Sequence, residues 1–354
     1  MDHLGIDSHK LMYHVERVNK WQKGEDIFPI YVEVGLYGAC NHRCIFCAFD
    51  FLGHKNTSLD DKGLKKFIIQ AAKGGVKAIL YSGEGEPLLH DRALEIIAFT
   101  KRCGIDVALV TNGVLLDKIT VRKLLRDLSW LKVSLDAATR NTYSLIHGAR
   151  KDDFDKVMRN LKEAVRIRNK FRYGCVIGAQ ALLLPQNLAE MGRLAKLLKE
   201  IGVDYLAIKP YCQHALSNKK TYLSPKGINL HSLEKDLERY SDDSFRVILR
   251  KNAIGKMERD RPYNKCFGVS FATHITASGD VYPCNAFIGS KEYCYGNICK
   301  KDFRDIWLGP RRKRIISKLN RRLSVSKCRV ACRLDEINRY LWELRHTVDH
   351  VNFI

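Results

Sequence analysis

Six short apolar runs, each followed by an amphipathic stretch, constrain this chain more than any other feature. They are YVEVGLY (31–37), KAILYS (77–82), DVALVT (106–111), WLKVSL (130–135), GCVIGAQALLL (174–184) and YLAIKPY (205–211). Segments such as DDKGLKKFIIQAAKGG and NLAEMGRLAKLLKEIG lie between them, the second closing at Gly202 as a helix C-cap should. Strand-then-helix units in series build a parallel sheet with crossover helices. Six such units fall short of the eight that close the usual barrel, so the pattern predicts an open, partial (β/α)6 TIM barrel. Beyond about residue 218 the pattern turns polar and mixed, then rich in cysteine. The expected organisation is an N-terminal extension over 1–28, the barrel over 29–230 and an α+β domain over 231–354.

Composition limits the function. Apolar residues make up 45% of 354, enough for a sizeable core. No apolar run reaches membrane-spanning length, and the N-terminus lacks a signal peptide's apolar centre and cleavage site. The chain is therefore expected in the cytoplasm, where its 12 cysteines stay reduced and serve metal or redox chemistry. The net charge is +22, with 13 Lys or Arg against two Asp between Lys300 and Arg333. That excess suits an anionic partner. No stacking aromatics are interleaved with those charges, which weighs against nucleic acid. A solvated helix with Ile315, Ile316, Leu319 and Leu323 turned inward accounts for much of it.

The segment YGACNHRCIFCAFD follows the first strand and places Cys40, Cys44 and Cys47 within eight residues. In barrels the C-terminal ends of the strands are where active sites gather. Three thiolates can hold a 4Fe–4S cluster and leave one iron open; by spacing alone, a zinc ion borrowing His42 is the competing reading. Cys-x3-Cys-x2-Cys with Phe46 before the last cysteine resembles the signature of the radical S-adenosylmethionine (SAM) enzymes. The resemblance implies that SAM occupies the open iron and is cleaved to a 5′-deoxyadenosyl radical that abstracts hydrogen from substrate. SGEGEPLL (82–89) is similar to the family's Gly-Gly-Glu motif, with Gly85 and Glu86 as contacts of the methionine amino group. TNG (111–113) and VSLDAAT (133–139) match later strand ends, implying cosubstrate roles for Asn112, Ser134 and Asp136. Relatives carry an arginine soon after the fourth strand to pair with the cosubstrate carboxylate. IHGAR offers His147 at that place and Arg150 nearby.

In the tail, Cys266 and Cys284 flank a hairpin turning at Gly279–Asp280, and Cys328 and Cys332 are spaced to share one side of a helical turn. Four thiols so placed suit a closed cluster or a zinc ion equally. The Cys-x12-Gly-x4-Cys hairpin resembles the SPASM and twitch extensions of the same family, which carry auxiliary 4Fe–4S clusters. The Cys-x2-Cys-x5-Cys-x3-Cys run of a full SPASM domain is absent, so the resemblance implies the shortened twitch form with a single auxiliary cluster. Cys294 and Cys299 are the candidates to replace one of its ligands.

Cys212 in IKPYCQH follows the sixth strand and is the candidate hydrogen-atom donor of a redox-neutral epimerase. Lys209, Tyr211, Gln213, His214 and Gln180 share its neighbourhood as candidate substrate residues, with Lys209 as a point charge. Cys103 and Cys175 read as buried structural thiols. The implied auxiliary cluster favours dehydrogenation, the basic surface suggests a phosphorylated or nucleotide-linked carbohydrate as substrate, and a flavodoxin or ferredoxin is the expected reductant. Peptide-modifying relatives often carry an N-terminal recognition module; 39 residues precede Cys40, which lowers that alternative. The alternative from another class, a basic nucleic-acid-binding metal protein, leaves the Gly-Glu-Pro and Ser-Leu-Asp motifs unexplained.

Overall fold

Each of the six apolar runs forms a strand: β1 (Tyr31–Gly35), β2 (Ala78–Ser82), β3 (Asp106–Thr111), β4 (Trp130–Ser134), β5 (Val176–Leu183) and β6 (Tyr205–Pro210). In the computed structural model, which describes residues 4–219, 229–256, 259–325, 328–347 and 349–353, they pair in parallel in chain order. Their buried valines, leucines and isoleucines face crossover helices whose apolar stripes complete the core. Side-chain caps start several of these helices: Asp60 accepts from Gly63 N, Asp117 from Thr120 N and Thr139 from Thr142 N. Each such cap is worth about 1 kcal/mol. The helix Met191–Ile201 ends at Gly202 with φ +87°, as its sequence predicts.

Two short parallel strands extend this set beyond the sequence reading. β7 (Arg246–Leu249) pairs with β6, and β8 (Ala272–Ile275) pairs with β1 on the other edge. β8 turns back at Gly279 (φ +84°) into antiparallel β9 (Asp280–Tyr282), followed by β10 (Gly296–Asn297). The sheet order is β10-β9-β8-β1-β2-β3-β4-β5-β6-β7, so β7 and β10 are its open edges. The expected hairpin is present, and it is continuous with the barrel sheet.

The C-terminal part is bound to the barrel at several points. Leu11, Val18, Trp21, Ile27 and Ile30 from the N-terminal region pack with Phe267, Phe271 and Leu341. Trp307 donates its indole N–H to Ile27 O at 2.7 Å. The basic helix Pro310–Arg322 buries Ile315 and Leu319 and packs Ile316 against the core, as the periodicity predicts, with Arg312 lying 3.6 Å over the Trp307 ring. No described helix is long and apolar enough to cross a membrane.

Candidate active site

The loop after β1 carries Cys40, Cys44 and Cys47, and two neighbouring elements fix its shape. Arg43 N and Ile45 N donate to His147 O and Ile146 O at the end of the helix Arg140–His147. That helix stops at Gly148 (φ +53°), where a Cβ would lie 2.5 Å from Arg43 O. From the other side Glu86 N donates to Ala39 O at 2.9 Å, and a Cβ on Gly85 would lie 2.2 Å from the same oxygen. Glycine is required at both contacts. All 12 cysteines are free. Burial pushes the Cys40 thiol up to about 11 and the Cys44 thiol well above its ordinary range. Thiolates here need a bound cation to offset them, the condition a metal cluster meets.

His147 is buried with Nδ1 3.5 Å from Cys44 Sγ, while Nε2 accepts from Asp136 N at 3.3 Å. This places the ring proton on Nδ1, toward sulfur. Burial, then neighbouring His42, holds the imidazole at about 3, so it is neutral. Donor atoms of His42, Cys44 and His147 lie within 4.8 Å of one another, close enough to be considered as a set for one metal ion. With Nε2 engaged by the Asp136 amide, His147 turns its Nδ1–H toward the Cys44 sulfur, which leaves neither ring nitrogen free for a metal. A neutral ring with both nitrogens engaged also does not supply the cation expected opposite the cosubstrate carboxylate. Nor does Arg150, which caps the helix Lys151–Phe171, pairs with Asp152 at 3.2 Å and is 78% exposed; it is not brought to the site.

The other expected residues converge on a cavity of about 460 Å³ lined by all three loop cysteines, Phe46, Gly85, Glu86, Asn112, Ser134, Asp136 and His147. Glu86 is buried and accepts from Thr111 Oγ1 at 2.7 Å and Asn112 N at 2.8 Å. Asn112 Nδ2 donates to Asn41 Oδ1 at 2.6 Å beside Cys40. Asp136 accepts from Leu182 N, and burial raises its carboxyl to about 7.

Cys284, Cys328 and Cys332 line the same cavity. Cys266 stands behind them, its sulfur accepting from Asn338 Nδ2 at 3.6 Å. Burial lifts the thiols of Cys266 to about 11, Cys332 to about 12 and Cys284 well above its ordinary range, and Cys284 also feels the charges of the other three. The expected helical turn at Cys328–Cys332 is absent, since the following helix starts only at Asp335. Arg261 holds this irregular stretch instead. Its guanidinium donates to the carbonyls of Val325, Arg329 and Val330 and pairs with buried Asp335. Cys294 bonds toward Gly296 O at 3.4 Å and Cys299 is exposed beside Gly63 and Gly279; neither joins the four.

Cys212, Lys209, Tyr211 and Gln180 also face the cavity. Gln213 and His214 do not line it: Gln213 binds the Tyr211 hydroxyl, and His214 stacks on Phe51. Two groups of polar residues were missed by the sequence reading. Lys132, Arg250 and Arg329 line the cavity beside Lys209. Glu33 and Glu84 line its wall, with buried His274 3.9 Å from one oxygen of each. The available signal was a lone charged or polar residue inside an apolar strand, as in YVEVG and WLKVS.

Two family models match the chain, the radical SAM superfamily over residues 34–198 and the SPASM iron–sulfur cluster-binding domain over residues 266–333. The protein named "Probable GTP 3′,8-cyclase" of Saccharolobus solfataricus is 26% identical over 223 residues, 62% of this chain and 67% of its own length. The tungsten-containing aldehyde ferredoxin oxidoreductase cofactor-modifying protein of Pyrococcus furiosus is 23% identical over 300 residues, 79% of this chain and 81% of its own. In fold, the chain is similar to Streptococcus suis SuiB bound to S-adenosylmethionine, with TM-score 0.66 and 20% identity over 91% of this chain and 76% of that one.

Proposed function

The chain belongs to the radical SAM superfamily and carries a cluster-binding C-terminal domain, and from that premise we propose that it oxidises a C–H bond of a small, polar, carbohydrate-like molecule. When bound, the cluster on Cys40, Cys44 and Cys47 together with SAM supplies a 5′-deoxyadenosyl radical that takes a hydrogen atom from the substrate. Phe46, Gly85, Glu86, Asn112, Ser134 and Asp136 are the cosubstrate's neighbours in this reading. Cys266, Cys284, Cys328 and Cys332 would hold an auxiliary cluster, which would supply an acceptor for the electron left on the substrate after hydrogen abstraction, and a flavodoxin- or ferredoxin-like reductant would supply the electron that cleaves SAM.

One observation carries the reading: cysteines of both groups line one cavity. A substrate seated there lies between a site of hydrogen abstraction and a site that accepts an electron. Losing the electron leaves a proton to be held, and Glu33, His274 and Glu84 suit that task. His274 presents Nδ1 to Glu33 Oε2 and Nε2 to Glu84 Oε2, each at 3.9 Å. Both ring nitrogens and Glu84 Oε2 are buried without a hydrogen-bond partner among the described residues.

A second reading rests on Cys212, which also faces the cavity. Returning a hydrogen atom from its thiol to the opposite face of the substrate carbon would make the enzyme an epimerase.

Iron content after anaerobic reconstitution tests the cluster assignment. With Cys40, Cys44 and Cys47 all changed to Ala, about four irons per chain should remain, the content of one closed cluster. Near-zero iron would remove the auxiliary route for electrons. To separate the two reactions, Cys212→Ala is compared with the unmodified enzyme on phosphorylated sugars, sugar nucleotides and peptides. Oxidised product should still form, without solvent deuterium at the product carbon. Stalled turnover and deuterium incorporation by the unmodified enzyme would favour the epimerase, and turnover of peptides alone would overturn the substrate class.

A further inference from the structure

We propose that Lys132, Lys209 and Arg329 seat a phosphoryl group of the substrate, an assignment that rests on the small-molecule reading above. Lys132 lies on β4 two residues before Ser134, one inward-facing step deeper in the barrel. Lys209 lies on β6, and Gln180 on the strand between accepts from Lys132 Nζ at 3.1 Å. Arg329 enters from the cysteine-rich domain and donates to Cys212 O at 3.3 Å, with its Nε buried and unpartnered among the described residues.

Among the described residues no carboxylate stands within ion-pair distance of any of these three cations. Arg250 adds a fourth charge, which Asp7 offsets at 3.4 Å. Among acids, the charge of Asp136 acts most on Lys209, but burial raises that carboxyl to about 7, which weakens it as a counter-ion. Cations withdrawn from water without counter-ions are costly, and a protein retains them where a ligand supplies the opposite charge. One carboxylate offsets one of them. A phosphate ester brings about −1.5 to −2 charges and three acceptor oxygens, and a diphosphate brings more. Lysines serve as point charges for such a group, and Arg329 adds the directed donor.

The test is thermal unfolding of the cluster-loaded protein with inorganic diphosphate, inorganic phosphate or succinate, for the unmodified chain and for Lys132→Met and Lys209→Met. Diphosphate should raise the melting temperature, and each substitution should weaken its binding about tenfold or more, as for the loss of one charged hydrogen bond. Without anion, both variants should melt at or above the unmodified protein, because each removes a charge that no carboxylate offsets from the cavity wall. A merely structural role would instead lower the melting temperature without changing the response to anion. No shift with diphosphate, or an equal shift in all three proteins, overturns the proposal. An equal shift with succinate overturns its phosphoryl specificity. Reductive cleavage of SAM by the unmodified enzyme is assayed in parallel. Its absence sinks the radical reading, whereas cleavage without diphosphate binding sinks the anion seat alone.

Discussion

Lys132 and Lys209 show how burial and a missing partner act on one side chain. Burial, followed by the charges of Lys209 and Arg250, holds Lys132 at about 7. Lys209 is held at about 8 by burial, then by Arg250 and Arg329, against the opposing pull of Asp136 and Cys212. A bound anion favours the charged form of both, so its binding draws in protons where the empty site has released them. Affinity for diphosphate should therefore fall as pH rises above about 7 to 8, by up to about tenfold per unit for each lysine involved. Calorimetry in buffers of different ionisation enthalpy reads that proton uptake directly. The slope should shrink in Lys132→Met and Lys209→Met, a comparison in which the probe's own ionisation cancels. An unchanged slope would show that these lysines do not face the anion. Neither Lys132 nor Glu33 announced itself in the sequence, because alternation along a strand marks two faces without saying which one is water. In this barrel the inward face near the strand ends is polar, so a residue that resembled solvent decoration lines the cavity.

At the scale of elements, the motifs that end in a loop were the legible ones. The three-cysteine loop, SGEGEP, TNG and SLDA each require a strand to stop and present its last residues, and each does so at the cavity. Gly279 foretold the hairpin because a tight turn needs its positive φ. The cysteine pair at 328 and 332 misled, since a spacing of four matches a helical turn without demanding one. What shapes that stretch is Arg261, more than 60 residues earlier in the chain, through three backbone carbonyls. Arg261→Met should leave those carbonyls without their donor and loosen the arrangement of Cys328 and Cys332. Iron per chain should then fall by about four, the content of one cluster, while the cluster on the N-terminal loop persists. Full iron content in this variant would assign Arg261 to packing only.

For the whole molecule, what escaped the sequence was long-range pairing. RVIL and ATHI are four-residue strands too short to stand out, and their partners, β6 and β1, are distant in the chain for β8 and close for β7 only after an intervening helix. Because β8 lies beside β1, the cysteine-rich domain is joined to the barrel by a shared ladder of hydrogen bonds. This has a consequence for keeping the protein apart from its own copies. β1 alternates fully buried Val32 and Val34 with the cavity's Glu33, and one of its edges is covered by β8 alone. A chain cut back to its barrel would show that edge bare, a row of unpaired amides and carbonyls ready to accept a strand from a neighbour. The cluster domain is thus also an edge guard, and its removal couples loss of activity to self-association.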